Sequence, residues 1–473
     1  MPSLFAFGTD VADSDARNDT PRRSAGSPVK PRIRPAKALL LASLVVAFLL
    51  TPGILIVSPA RAASTPYVYV AMTGSDTLGN GSASAPFATI SHAVSAAPPG
   101  AIVVVSPGTY DGMVVINRTL TLQSQTFQAS DVIVNALGDA NGIVVLGPSA
   151  SGTVVDGFTV ENADNHGIYV QDANDVVIEN NIVSNNGLNV IAGLGEIKAI
   201  QLAGSSYSTV AGNRVVGNLY GGIGIADDGP LLATWNSTAV PSAGIPDGQP
   251  NPGDNDIVSA NVVIGNTPNH CSIVVSAYNQ GEGVSNNIVS YNTVVDNTAG
   301  IIVAADTPNT IAINNSVVFN SILNDGEAGV VLHNNAPGCV VTGNVVMGNV
   351  LSNDGSGATL TGIIVGGEGP VPVLNSTITD NVFQNENVGI QIVNGNYTFV
   401  GGNTMAPSIV LPINGTVTVV STPSGSQSSS GSGSTSILSG GGVSFSLALL
   451  TAVGTLIVGM VAGIVIRPSR TEK

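Results

Sequence analysis

Apolar residues in this chain come in short, β-branched bursts separated by Gly, Asn and Pro. One burst recurs as GIYV from residue 167, AIQL from 199, GIGI from 222, SIVV from 272, GIIV from 300, GVVL from 329, GIIV from 362 and GIQI from 389. A second recurs out of phase as VVIENNIV from 176, TVAGNRVV from 209, VSNNIVSYNTVV from 284, TIAINNSVV from 310, CVVTGNVVM from 339 and STITDNVF from 376. Neither burst shows the 3.6-residue period of a helix face, and Val and Ile fit a pleated strand. The Asn inside the second burst marks a corner, because Asn enters the left-handed backbone region more easily than most residues. The predicted unit is strand, corner, strand, corner.

A rung of this size cannot bury its apolar positions alone and must stack on its neighbours at about 4.8 Å. The first burst returns every 23 to 50 residues, which with short strands and no helical periodicity predicts a solenoid of parallel strands, an all-β parallel β-helix. A leucine-rich repeat needs a leucine and asparagine consensus that is absent, and a propeller needs longer four-stranded units. The segment ATISHAVSAA, Ala88 to Ala97, has apolar residues at helical spacing after Ser84-Ala85-Pro86. It predicts a short helix capping the open end of the stack, with His92 as a cap residue.

The stretch YVYVAMTGSDTLGNGSASAPFATISHAVSAAPPGAIVVVSPGTYDGMVVINRTLTLQS resembles the opening of pectate-lyase-like right-handed parallel β-helix proteins. In that superfamily a G-x-D, PF-x-T-I, PG and I-x-V-x-PG-x-Y pattern leads into the first rungs. The later NN-x-V repeats are similar to the right-handed β-helix repeats of NosD-like copper-maturation proteins. The likeness runs from about Pro66 to Asn403 and implies the fold; it does not imply one activity, since this fold hosts lyases, hydrolases, epimerases, adhesins and stalks.

The ends of the chain read differently. Residues 1–62 hold a basic n-region, the apolar run from Ala38 to Val57 and the Ala60-Arg61-Ala62 site of a secretory signal; an uncleaved N-terminal anchor is the alternative. The β-helix domain is expected over 64–420, followed by a Ser/Gly-rich flexible linker over 421–442. An uncharged run, Val443 to Ile466, is long enough to cross a bilayer, and the basic residues of 467–473 place the tail in the cytoplasm. Hydrophobic helices are thus expected at both ends, with the body outside the cell. Sequons headed by Asn80, Asn117, Asn236, Asn314, Asn375, Asn396 and Asn414 permit glycosylation there.

Charge narrows the partners. Between Ser64 and Gly441 three basic residues face 25 acidic ones, a net of −22, which repels nucleic acid and anionic lipid.

The search for chemistry yields few candidates. Polygalacturonase-like members of the superfamily use an Asp, an adjacent Asp pair, and Gly-His-Gly and Arg-x-Lys elements. Here Asp227-Asp228 and His166-Gly167 occur, but the His precedes the pair, Asn165 stands before it, and no Arg-x-Lys follows. Pectate lyases combine Ca²⁺ with a basic residue that removes a proton, for which Lys198 is the candidate; Arg214 sits in the other strand type. Asp172, Asp227 or Asp228, Asp306 and Glu368 fall five or six places past the start of the first burst and are expected to line one corner. The candidate catalytic set is therefore Asp227, Asp228, Asp306, Glu368 and Lys198. The 50-residue interval carries an insertion with Trp235, Asp247, Asp254 and Asp256, and Asp227, Asp228, Asp254 and Asp256 form the candidate calcium site. Turn chemistry alone also places Asp at corners.

The histidines and cysteines are expected to stand apart. Repeat registers separate His270 from His333 by about 20 Å along the sheet, too far to share a metal. They place Cys271 and Cys339 on different faces, which predicts two buried thiols rather than a disulfide. In GVVLHNNAPGCVVTGNVVMGN, His333 is expected to face outward and Cys339 to begin the next face, with no partner within reach of either. The outward row Val274, Ile302, Val331 and Ile364 requires a cover, either the Trp235 loop or another protein.

These observations predict a membrane-anchored, extracytoplasmic β-helix that binds or displays at the cell surface, with polysaccharide or an envelope protein as partner. The alternative is a polysaccharide lyase or glycoside hydrolase of the same fold. A metal-handling role like that of NosD ranks last, since His, Cys and Met do not cluster.

Overall fold

The computed structural model describes residues 65–189, 197–227, 252–266, 271–279, 281–356, 359–367, 370–404, 408–410, 416–420, 427–428 and 434–438. The expected terminal helices, at 38–57 and 443–466, lie outside the described residues, as does most of the 228–251 insertion. Among the described residues no helix is long and apolar enough to cross a membrane.

The architecture is a stack of parallel strands. One rung runs from Ile301–Ala305 in sheet 1 through Ile311–Ile313 in sheet 2 and Ser316–Val318 in sheet 3 to Ser321–Leu323 in sheet 4. The chain then re-enters sheet 1 at Val330–Asn334, paired in parallel register with Ile301–Ala305. Among the described residues sheet 3 has 14 strands, sheet 1 has 13, sheet 4 has 10 and sheet 2 has 6. Sheet 2 begins at Gly253–Asp254, so earlier rungs have three sides and later ones four.

This corrects the two-strand unit. The second burst is not one strand with a corner: VSNNIVSYNTVV supplies Ser285, the strand Ile288–Ser290 and the strand Thr293–Val295, in sheets 2, 3 and 4. Asn286 and Tyr291 bend the chain, so this burst crosses three faces.

Two residues share each corner. Asn180, Asn286 and Asn314 adopt φ of 56°, 59° and 57° and make the left-handed bend. The next residues, Asn181, Asn287 and Asn315, turn inward and are buried. A buried amide must find partners for two N–H bonds and an oxygen, and the stack provides them from rung to rung. Asn213 Oδ1 accepts the backbone N–H and the Nδ2–H of Asn181, at 2.9 and 3.1 Å. Asn213 Nδ2 then donates to Asn261 Oδ1 at 3.0 Å and to the Ile178 carbonyl at 2.9 Å. The ladder continues through Asn292, Asn320, Asn349, Asn381 and Asn403. A second ladder, Asn287, Asn315 and Asn344, follows sheet 2. A third, Asn186, Asn218, Asn266 and Asn297, follows sheet 4.

Inward Val, Ile and Leu from all faces form one continuous core from Val68 to Val400. The N-terminal end is closed by the helix Ile90–Ala96, whose N-cap is Thr89. Asp76 fixes that cap by accepting from the Ala88 and Thr89 backbone N–H groups and from the Thr89 hydroxyl. His92 packs edge-on against Phe87 in this cap, ring centroids 4.6 Å apart. At the other end, Thr416–Val420 pairs with Ser434–Leu438, so strands continue into the segment expected to be a free linker.

Asn320→Ala removes an acceptor for Asn292 and donors to Val289, Val318 and Asn349. Buried groups left unmet cost about 1–3 kcal/mol each, so the variant is expected to lose about 2–4 kcal/mol, read as a lower urea midpoint. The exposed Gln384→Ala change in sheet 4 is the control and is expected to shift stability by less than about 0.5 kcal/mol.

Candidate functional site

The outer face of sheet 1 gathers the chemistry. Ile168 and Val170 point into the core while Tyr169 points out. His166 stacks on Tyr169, ring centroids 4.7 Å apart and planes within 19°. Its Nδ1 lies 2.8 Å from the Lys198 carbonyl oxygen, and a carbonyl only accepts, so Nδ1 carries the proton. Burial pushes the imidazole down to about 4, and the nearby Lys198 charge lowers it further against that hydrogen bond. The ring is therefore neutral at neutral pH, with its lone pair on Nε2.

Lys198 and Gln201 come from the next rung, where Gln201 is in register with Tyr169. A Cβ at Gly224, one rung on, would stand 2.4 Å from Gln201 Oε1 and 2.8 Å from Lys198 Cγ, so any larger residue there would displace both side chains. Lys198 is 1% exposed, and His166, Tyr169, Gln171, Asp172 and Gln201 are buried with it.

The corner acids lie just beyond. Asp172 and Asp227 follow Gln171 and Ala226, which share one register through Ala203; that puts them two rungs apart, about 10 Å. Asp227 accepts the backbone N–H groups of Tyr278 at 2.8 Å and Asn279 at 3.2 Å. Burial pushes its carboxyl up to about 6, against the lowering effect of those bonds. Asp306 accepts from the Ser276 hydroxyl and from Asn335 Nδ2, and His333 Nε2 lies 3.9 Å away. His333 does face outward, but it has Asp306 as a partner, which corrects its expected isolation. Asp228 and Glu368, with His270 and the Trp235 loop, lie outside the described residues.

The candidate calcium ligands point apart. Asp254 Oδ1 takes the Ser285 backbone N–H at 2.6 Å. Asp256 turns into the core, where Oδ1 takes the Ser208 backbone N–H at 2.7 Å. With Asp227 bound to Tyr278 and Asn279, the described members of the set do not fit one calcium ion. Among the described residues no group of three His, Cys, Asp or Glu is placed to hold a metal.

No disulfide joins Cys271 and Cys339. Cys339 is buried, and its thiol donates to the Thr307 carbonyl at 3.0 Å. Cys271 is half-buried rather than buried, beside Val274, Ile302 and Val331 on the outer face of sheet 1. In that outward row Val274 and Ile302 are buried and Val331 and Ile364 half-buried. Of the sequon asparagines, Asn80, Asn117, Asn314 and Asn375 are exposed and Asn396 is half-buried; Asn236 and Asn414 lie outside the described residues.

The family described as "Right handed beta helix region" matches residues 108–239 and 141–317. This match and the parallel strand stack show that the chain carries a right-handed parallel β-helix. A second family, a protein of unknown function designated DUF1565, matches residues 72–115, across the cap. No curated protein matches the chain. Among solved structures the β-helix is similar to the pectate lyase Pel9A, with TM-score 0.46, 14% identity, and 70% of this chain and 78% of that chain covered. It is also similar to PfbA, a surface adhesin of Streptococcus pneumoniae, with TM-score 0.43, 15% identity, and 74% and 92% covered. A family 28 exopolygalacturonase of Yersinia enterocolitica gives TM-score 0.45, 11% identity, and 79% and 78% covered. These likenesses concern the fold and say nothing about activity.

Sequence reasoning missed the convergence of His166, Tyr169, Lys198 and Gln201. The signal was available: His166 and Lys198 each immediately precede a first burst, and Tyr169 and Gln201 hold the same place within it. It also missed the fate of the third ladder, which changes from amides to acids. Asn297 donates its backbone N–H and Nδ2–H to Asp325 Oδ1 at 2.8 and 3.0 Å. Asp325 N–H goes to Asp354 Oδ1, and Asp354 N–H to Glu386 Oε1, each at 3.0 Å. A second carboxyl oxygen now stands where each Asn has a donor, and Asp325 Oδ2 and Glu386 Oε2 are buried without a partner. A proton on the carboxyl restores the missing donor. Burial pushes Asp325 up to about 7, Asp354 to about 8 and Glu386 to about 7; the charge of Asp296 adds to the first, and those of Asp325 and Glu386 add to the second.

The folded state thus holds protons that the unfolded chain releases near the ordinary carboxylate values. Stability is fully present below about pH 4 and falls as pH rises toward 8, by about 1.4 kcal/mol per pH unit for each proton. Urea midpoints measured from pH 4 to pH 9 are expected to fall over this window. Asp354→Asn is expected to flatten the fall and raise the midpoint at pH 8; a wild-type midpoint that rises with pH would contradict the protonated column.

Proposed function

We propose that this chain is an exported β-helix, tethered to the membrane through Val443–Ile466, that binds or displays at the cell surface and cleaves no polysaccharide. Its partner is polysaccharide or an envelope protein. The observation that carries this reading is the use made of Asp227. A general base, or a calcium ligand, needs an oxygen lone pair directed at its target. Asp227 gives one lone pair of each oxygen to the backbone of the rung ahead, which holds the carboxylate to the frame. Asp306 is likewise bound by Ser276 and Asn335, and Lys198 is 1% exposed. The signal, linker and apolar segment of the sequence support export and tethering.

One observation favours the alternative of a lyase or hydrolase. Lys198, neutral His166 and Asp227 belong to neighbouring rungs on one side of the solenoid, and a carboxyl raised to about 6, as that of Asp227 is, suits proton transfer. The protein is therefore to be incubated with a panel of plant, algal and microbial polysaccharides. No unsaturated or reducing ends are expected. Release of such ends that is abolished by Lys198→Ala and Asp227→Asn would establish the enzyme.

A further inference from the structure

The corner between sheets 3 and 4 holds a row of outward residues, one per rung, each preceding a ladder asparagine. Asn180, Gly212, Gly348 and Asp380 are types that tolerate the left-handed backbone this position requires. Ala260, Tyr291 and Phe319 are not, and the two aromatics adopt φ of 56° and 57° on consecutive rungs. A bulky residue there is a backbone outlier; Phe127, Leu137, Tyr207 and Tyr397 are others, and what sets Tyr291 and Phe319 apart is that they adjoin on neighbouring rungs. The rings stack, centroids 5.4 Å apart and planes within 18°, and the residues are 48% and 38% exposed.

The surroundings are built around these rings. A Cβ on Gly348 would stand 2.5 Å from Phe319 Cε1, so that glycine makes room for the ring. Two residues beyond each ring, Thr293 and Ser321 are exposed and paired in register on sheet 4. Each rung thus brings one ring and, two residues on, one exposed hydroxyl residue to this side of the solenoid, and none of the four is charged.

Size and charge decide the occupant. Aromatic side chains bury roughly 150–250 Å² each, so the open part of the two rings is roughly 170 Å² at these exposures. A stable protein interface needs about 800 Å² per partner, several times more. A pyranose ring offers a C–H face for an aromatic ring and an edge of hydroxyls for Thr and Ser. The net charge of −22 over 64–441 disfavours an acidic glycan.

We propose that Tyr291 and Phe319, with Thr293 and Ser321, form a binding ledge for an uncharged polysaccharide. This rests on the non-catalytic surface reading above and gives it a site, away from the outer face of sheet 1. The full chain is to be run in affinity gels containing galactomannan, mixed-linkage β-glucan, dextran or polygalacturonate. Retardation by at least one of the three neutral polymers is expected, and none by polygalacturonate. In Y291N/F319N the retardation is expected to weaken at least tenfold while the urea midpoint stays or rises, because Asn suits the left-handed corner.

Absence of retardation by every neutral polymer overturns the proposal, as does equal retardation of the double variant. A fall in its urea midpoint also overturns it, since the rings would then be there for packing. Appearance of new reducing or unsaturated ends in the same gels bears on the non-catalytic reading alone and leaves the ledge to be judged by the variant.

Discussion

A stack of rungs repeats every corner, so any polar group turned inward at one corner is turned inward at all of them. The satisfaction of that inward group by its counterpart one rung away is the interaction on which the rest of the structure depends. Amides meet the condition because each carries both donor and acceptor: Asn213 receives from Asn181 and gives to Asn261. The bond also ties backbone to side chain, since Asn181 N–H goes to the same oxygen. Spacing, register and direction are thereby set together at each corner, and the apolar faces fill the space between.

The same condition explains the place of several carboxyls of this strongly acidic body. Asp325, Asp354 and Glu386 occupy ladder positions, and Asp256 occupies another. Asp227 and Asp306 serve the corner after sheet 1 in a related way, accepting from the rung ahead. Acids that look like candidates for chemistry in the sequence are in large part connectors between rungs. Burial raises the carboxyls of the deepest of them, Asp325, Asp354 and Glu386 included, which couples the cohesion of the later rungs to pH.

The solenoid was legible because its signal is repeated: a four-residue burst at a fixed place in each rung and Asn at or beside many of the bends. The number of faces was not, because three-residue strands such as Ile288–Ser290 are shorter than any periodicity test resolves. The division of labour within Asn286-Asn287 was also hidden, since one sequence pair holds a bend residue and a ladder residue. The corner after sheet 1 could be located from spacing alone, but the engagement of Asp227 by Tyr278 and Asn279 joins residues about fifty positions apart. His166 and Lys198 were individually visible; their meeting depended on strand register across a rung.

Function on such a scaffold belongs to what departs from the repeat. Two departures stand out, the polar group beneath the outer face of sheet 1 and the aromatic pair at the corner between sheets 3 and 4, and both lie on a frame whose integrity rests on the ladders. The most direct test of that frame is the protonation state of its acidic column, read from the carboxyl ¹³C shifts of Asp325, Asp354 and Glu386 in the folded protein between pH 4 and pH 9. Carboxyls that remain protonated at pH 6 and ionise only toward pH 7–8 are predicted by a ladder that needs a donor at each rung. Three carboxyls already ionised at pH 5 in the intact fold would contradict it.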